Sequence, residues 1–417
     1  MNTPTLRFKE FSGEWEVKKL GDVFSFIVTN SFSRELLTYE AGEVKNIHYG
    51  DIHTKFKSNF KIKNENVPFI HNDVDISRIS EDCYCKEGDL IIADASEDYA
   101  DIGKSIEIIS LDNQKLLAGL HTYIARDLLK QMALGFSCYL MQTENIRLQI
   151  KTLASGVSVL GISKGNLSKV TLIIPTLPEQ TKIANFLTAI DEKIAQLSQT
   201  AQLLTDYKKG VMQQIFSQQL RFKDDDGREF AEWEEKSLEA FLIPEFREVE
   251  KPKGLYLAIG IRSHCKGTFQ RPDADPEKNA MDNLFQVKEN DLIVNITFAW
   301  EGAIAIVKKE DDGGLVSHRF PTYVFNEEIS NYKFFQYVFI RPRFREQLDL
   351  ISPGGAGRNR VMSKKDFLKI KCELPCVEEQ NKIANFLTAI DDKINNNQTQ
   401  LDAMKQYKSG LLQQMFV

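Results

Sequence analysis

The sequence predicts an α+β protein built twice over. Two globular domains are separated by two long helices that form an antiparallel coiled coil, with an internal pseudo-two-fold repeat. Three observations carry this reading. A segment of sixteen residues, Glu179 to Ile194, recurs as Glu379 to Ile394 with two differences, at a constant offset of 200. A heptad pattern runs through each copy, and the stretches between them mix short β-rich runs with helical ones. In chain order this gives a first domain over 1–177, a helix over 178–217, a second domain over 218–377 and a closing helix over 378–417.

The helices come from spacing. Ile183, Leu187, Ile190, Ile194, Leu197, Ala201, Leu204, Lys208, Val211 and Ile215 lie alternately four and three apart, the seam of a coiled coil. Ile383, Leu387, Ile390, Ile394, Asn397, Leu401, Met404, Lys408, Leu411 and Met415 repeat it. Pro178 and Pro375 sit at or just before the starts, where proline is tolerated. Forty residues from Pro178 to Ser217 make a rod of roughly 60 Å. Gly210 and Gly410 mark a kink or an early stop. Lys182, Asn185 and Thr188 are identical to Lys382, Asn385 and Thr388, although a two-helix seam asks little of outer positions. An outside surface therefore meets the same thing twice. Phe186 with Phe386, and Tyr207 with Tyr407, flank the seam and either cover it or dock a third helix.

A second echo opens each half. Leu6-Arg-Phe-Lys9 with Glu14-Trp15 returns as Leu220-Arg-Phe-Lys223 with Glu232-Trp233. Inside the halves, the runs Asp89 to Ala93 and Asp291 to Asn295 read as strands and Tyr332 to Leu350 as helical. Both halves close on a Ser-Lys step at the shared offset, Ser163-Lys164 and Ser363-Lys364.

Composition excludes several classes. With 42% hydrophobic and 27% charged residues the chain is ordinary for a globular protein. It shows neither a membrane span nor a secretory leader, so it is expected in the cytoplasm without membrane association. The six cysteines lack paired Cys-x-x-Cys spacing, which indicates reduced thiols. A net charge of -6 argues against a wholly basic nucleic-acid-binding surface and leaves local patches open.

A catalytic centre is not found. Gly103-Lys104-Ser105 resembles the end of a phosphate-binding loop, but position 98 holds Asp98 where that motif needs glycine. Gly354-Gly355-Ala356-Gly357 lacks dinucleotide spacing, and hydrolase and metalloprotease signatures are missing. Cys83, Cys85 and His71 read as buried thiols beside an unrelated histidine. No two prolines are adjacent, which removes the core of the amino-methyltransferase motif. No catalytic residue and no metal ligand is nominated.

Binding chemistry is present. From Arg341 to Lys371 there are nine basic residues against three acidic ones. This stretch includes Gly354-Gly-Ala-Gly-Arg-Asn-Arg360, whose amides with Arg358, Asn359 and Arg360 suit phosphates and base edges, and also Lys364. The first half carries a weaker cluster of Lys45, Lys55, Lys57, Lys61 and Lys63 with His48 and His53. Lys151, Lys164 and Lys169 lie near its equivalent loop.

Over essentially the whole chain these residues resemble the specificity (S) subunit of type I restriction-modification systems. The segments Pro175-Thr-Leu-Pro-Glu-Gln180 and Leu374-Pro-Cys-Val-Glu-Glu-Gln380, each leading into a long helix, are the strongest part. Asp291-Leu-Ile-Val-Asn-Ile-Thr-Phe-Ala-Trp-Glu-Gly-Ala-Ile304, which contains Trp300, and the glycine-arginine loop look like the second target-recognition domain of such subunits. The first domain's Asp89 to Ser96 lacks the Ala-Trp-Glu-Gly stretch. The resemblance implies a non-catalytic subunit whose two domains each read one part of a split, asymmetric site in double-stranded DNA. It implies two methyltransferase subunits docked on the helices, with Lys182, Asn185, Phe186, Tyr207, Lys382, Asn385, Phe386 and Tyr407 serving that docking. Methyl transfer to adenine, translocation and cleavage, with S-adenosylmethionine, ATP and Mg, would belong to the methyltransferase and the restriction/translocase subunits, leaving no cofactor in this chain. The alternative reading is a coiled-coil interaction adaptor that does not bind DNA.

Overall fold

The heptad seams form the two longest elements of the computed structural model, which describes residues 2–156, 158–355 and 360–417. The helices span Leu177–Phe216 and Val377–Gln414 and run past Gly210 and Gly410 without a stop. Gly210 faces open space and Gly410 meets only the end of the Gln414 side chain, at 4.0 Å, so helices uncrowded on that side absorb their weak propensity. The chain forms two compact units, Met1–Ala201 with Asn396–Val417, and Gln202–Asn395. Each long helix contributes to both.

In the first unit, Ile183, Leu187 and Ile190 share a core with Leu411, Met415 and Phe416. The helix segments run antiparallel there. Lys408 Nζ lies 2.7 Å from Asp191, which also accepts the Tyr139 hydroxyl at 2.8 Å, and the Lys408 ammonium sits 5.4 Å from the Tyr139 ring centre. The second unit repeats this with Ile383, Leu387 and Ile390 against Val211, Ile215 and Phe216. There Lys208 meets Asp391 at 2.5 Å and the Tyr337 hydroxyl donates to Asp391 at 2.9 Å. Lysine at a seam position is thus partnered. So is Asn397, whose side-chain amide donates to the Leu197 carbonyl at 2.8 Å. Seam polar groups satisfied only at one alignment select register and direction at some cost in stability.

The two sequence echoes explain one another. Arg7 makes a fork onto the buried Glu179 carboxylate at 2.7 and 2.8 Å, while Phe8 meets Phe186 edge-on at 5.7 Å and Lys182 pairs with Glu10. In the other copy Arg221 reaches Glu379 at 2.8 Å, Phe222 packs on Phe386 at 5.5 Å and Lys382 meets Asp225 at 2.7 Å. The next residue of each repeat, Gln180 or Gln380, is buried and makes three hydrogen bonds, two tying its helix start to a loop (131–133 or 329–331) and one to the carbonyl of the preceding Pro175 or Pro375.

Each unit also carries sheets. In the first, strands Ser25–Ile27, Thr122–Arg126, Leu90–Ala93, Ser105–Ser110 and Asn59–Lys61 lie side by side in that order, beside a four-stranded sheet. The second unit has five-stranded and four-stranded sheets of its own. The runs read as strands begin with an aspartate for one reason in both. Buried Asp89 takes a fork from Arg126 at 2.8 and 2.7 Å, and buried Asp291 takes one from Arg247 at 2.5 and 3.2 Å. The stretch expected to be helical from Tyr332 to Leu350 is two helices, Tyr332–Phe339 and Pro342–Leu350. Proline disfavours helical geometry at Arg341 before it.

Glu107, on the strand Ser105–Ser110, is buried and accepts from the backbone N–H of Gly135 at 2.6 Å and of Cys138 at 2.8 Å. Burial pushes its carboxyl up to about 7, against the opposing backbone hydrogen bonds. An acid whose folded-state pKa is raised binds more protons folded than unfolded, so its contribution to stability falls as pH rises from the ordinary 4.5 to about 7. Thermal unfolding of the protein and of Glu107→Gln between pH 5 and pH 8 checks this. The difference between the two is expected to move in favour of the variant as pH rises and to level off above pH 7.5. A difference independent of pH would contradict it.

Candidate nucleic-acid interface

In the first unit, strand ends and a helix start bring basic and aromatic side chains into one run of contacts. Lys164 opens the helix Lys164–Leu167, which Ser163 caps, and its ammonium lies 5.4 Å from the Phe26 ring centre. Phe26 meets Tyr123 edge-on at 5.8 Å. Asp94, which follows the strand Leu90–Ala93, acts electrostatically on Tyr123 and bonds His121 Nδ1 at 3.2 Å. His121 packs on Tyr49 at 5.3 Å, and Tyr49 stacks on His48 at 4.7 Å. Beyond His48, Arg34 and Lys55 both pair with the buried carboxylate of Asp51, at 2.7 and 2.9 Å. Burial works against the charge on Asp51, but these two cations outweigh it and hold the carboxyl below its ordinary value. Two cations on one carboxylate leave a local excess of positive charge at this end of the run.

Lys55 and Lys164, far apart in sequence, therefore stand at opposite ends of one feature. The other lysines nominated in this half do not join it in these contacts. Lys61 Nζ turns to Glu192 on the first long helix at 3.5 Å, Lys151 lies over Tyr99 at 5.8 Å, and Lys57 is exposed with its backbone N–H bonded to Glu65. Arg34, Tyr49, His121, Phe26 and Tyr123 escaped sequence reasoning. His48 and His53 sit in a lysine-rich stretch, but nothing near His121 marks it except an aspartate in another strand end.

The second unit builds a comparable run. Lys364 follows Ser363, whose hydroxyl caps the helix Lys364–Leu368, and the ammonium lies 5.6 Å from the Phe246 ring centre. It also donates to the His318 carbonyl at 3.3 Å. The neighbouring Arg319 bonds Thr297 at 3.1 Å, and the Trp300 indole donates to the Thr297 carbonyl at 3.2 Å. Arg360 lies over Trp300, 4.9 Å from the ring centre, and is anchored by the Asp349 carboxylate at 2.7 Å and the Ser352 carbonyl at 3.0 Å. Arg358 and Asn359 lie outside the described residues.

Of the residues nominated for docking, Lys182, Phe186, Lys382 and Phe386 are engaged by the chain's own opening segments, as described above. The Thr188 and Thr388 hydroxyls bond Tyr139 and Tyr337 at 3.2 and 3.1 Å. Their identity in the two copies thus has an internal explanation. Asn185, Asn385, Tyr207 and Tyr407 remain exposed. Asn385 lines a groove with Asn381, Tyr332, Lys333 and Glu327. Among the described residues no three His, Cys, Asp or Glu side chains converge as a metal site, and no helix is long and apolar enough to cross a membrane.

Comparison with known proteins agrees with this architecture. Residues 12–205 and 273–406 match the family model described as the type I restriction modification DNA specificity domain. The chain is 24% identical to the putative type I restriction enzyme MjaX specificity subunit of Methanocaldococcus jannaschii, over 97% of this chain and 93% of that one. It is 23% identical to the MjaVIII specificity subunit of the same organism, over 63% and 65%. Its fold is similar to the crystal structure of the type I restriction-modification S subunit from M. genitalium, with a TM-score of 0.59 at 15% identity over 100% of this chain and 99% of that one. With the family model matching well over half of its length in two stretches, one in each half of the repeat, this chain belongs to the type I restriction-modification DNA specificity family.

Proposed function

We propose that this chain is the DNA sequence-recognition subunit of a type I restriction-modification complex, with each unit reading one part of a bipartite, asymmetric site. The observation that carries this is the recurrence of one arrangement in two units of different sequence. A serine-capped lysine over a phenylalanine, Lys164 with Phe26 and Lys364 with Phe246, ends a run of basic and aromatic side chains in each. Ammonium groups held on rings suit phosphate contact, and the interleaved aromatic, histidine and arginine side chains suit base edges. The chain itself is non-catalytic. Two methyltransferase subunits dock on the long helices, where Asn185, Tyr207, Asn385 and Tyr407 are the free members of the repeated surface. Adenine methylation and ATP-dependent cleavage, with S-adenosylmethionine, ATP and Mg, are the work of the methyltransferase and restriction/translocase subunits in the cytoplasm.

The lysines test the reading. Lys164→Ala and Lys364→Ala should each weaken DNA binding by the assembled complex for all sequences alike. Each should also lower the slope of log affinity against log salt by about 1, since one phosphate contact releases about one counterion. Fluorescence anisotropy across a salt series measures both. Unchanged slopes in both variants would refute the phosphate role.

A further inference from the structure

One sheet is present in both units and has its outer edge covered in only one of them. In the first unit the strand Ser105–Ser110 lies between Leu90–Ala93 and Asn59–Lys61, and Asn59–Lys61 covers its outer edge in parallel. Glu107 donates its backbone N–H to the Ser58 carbonyl at 2.7 Å, and the fully buried Phe60 shares a core with Ile106 and Ile108. The second unit orders its strands Leu242–Pro244, Thr322–Phe325, Leu292–Val294 and Ile304–Ile306. Ile304–Ile306 corresponds to the start of Ser105–Ser110, because Val307 donates to the Asp291 carbonyl at 2.8 Å as Ile108 does to that of Asp89 at 2.9 Å. Among the described residues no strand covers its outer edge.

That edge carries unused hydrogen-bonding groups. Bonds alternate along an antiparallel ladder. The Val307 N–H and the Ala303 carbonyl, which accepts from Asn295 at 2.9 Å, both point into the sheet, so Ile304 and Ile306 turn their N–H and C=O groups outward. A groove of about 270 Å³ lies there, lined by Ile304, Ile306, Gln336, Phe339 and Ile340 among others. Ile340 is 38% exposed and stands three residues past Tyr337, as Gln142 stands three past Tyr139. Gln142 Nε2 donates to the Ser58 hydroxyl at 3.0 Å. The position that touches the covering segment in the first unit is thus apolar and exposed in the second.

We infer that the edge Ile304–Ile306 binds an extended segment of a partner protein, which adds a parallel strand and sets an apolar side chain against Ile340. The form of the occupant follows from Asn59–Lys61, which fills the corresponding place in the first unit. Its chemistry follows from the exchange of Gln142 for Ile340. Main-chain bonds to Ile304 and Ile306 supply affinity, and the groove supplies selectivity. This site is separate from the DNA-recognition role proposed above.

The probe is a fluorescein-labelled peptide of residues 56–63 carrying Ser58→Leu, titrated into the full chain and followed by anisotropy. Saturable binding is expected, with slowed amide hydrogen exchange at 304–306. Ile306→Pro removes an N–H that the native ladder does not use, at an edge position where proline is tolerated. Ile340→Asp sets a charge against the apolar side chain. Each should weaken binding at least about fivefold, the scale of one hydrogen bond. Circular dichroism melts establish that the variants fold, and Ile340→Asp decides alone if Ile306→Pro does not. No saturable binding, unchanged affinity in a folded variant, or exchange slowed at 105–110 instead of 304–306 would overturn the inference.

Discussion

Arg221→Met should lower the unfolding free energy by about 3–5 kcal/mol, as expected when a buried pair loses one partner. The variant leaves Glu379, fully buried beneath the strap of residues 220–223, with the Trp233 indole, which lies outside that strap, still donating to it at 3.2 Å. It also frees the Ala231 carbonyl, which Arg221 holds at 2.6 Å. Adding Glu379→Gln removes the stranded charge and should recover a large part of the loss. Urea unfolding followed by circular dichroism checks both. A double variant no more stable than Arg221→Met would show that the strap is held by packing of Phe222 on Phe386 rather than by the ion pair.

Arg360→Ala should abolish selectivity for one half-site and leave the other intact. Arg360 ties the end of the glycine-arginine loop to the helix Pro342–Leu350 through Asp349 and Ser352, and lies over Trp300 in the turn that follows the strand Leu292–Val294. Without it, the turn at Trp300 loses its tie to the end of the helix Pro342–Leu350. Discrimination in that half-site is expected to drop at least about tenfold, within the range for losing one or two base contacts at 1–3 kcal/mol each. Sequencing of methylated sites measures this, and equal degradation of both half-sites would point to failed assembly instead.

The long helices were legible because a heptad seam is a one-dimensional signal. The span read as 178–217 is observed as Leu177–Phe216. Lys208, Lys408 and Asn397 were visible as seam positions, but their partners Asp391, Asp191 and the Leu197 carbonyl come from the opposite helix, which no local window contains. Lys182 and Lys382 show a second limit. Their repetition is visible in the sequence, but the carboxylates they pair with, Glu10 and Asp225, lie just past the other repeated motif, a contact that spacing does not reveal. Two echoes in one chain can exist for each other. Of the run from Lys164 to Arg34, only Lys164, Lys55 and His48 were legible. Phe26, Asp94 and His121 meet through the strand order of a sheet, and Tyr49 joins them from the start of the helix Tyr49–Thr54, so distant segments mix and leave no spacing to read.

The central claim is that one chain carries two independent readers. Genome-wide sequencing of methylated adenines, in cells carrying the complex with the parent chain, Lys164→Ala combined with His121→Gly, or Arg360→Ala, tests it most directly. The account predicts one bipartite, asymmetric motif for the parent, degraded in one half by the first-unit variant and in the other half by Arg360→Ala. A single uninterrupted motif, or loss of the same half in both variants, would contradict it.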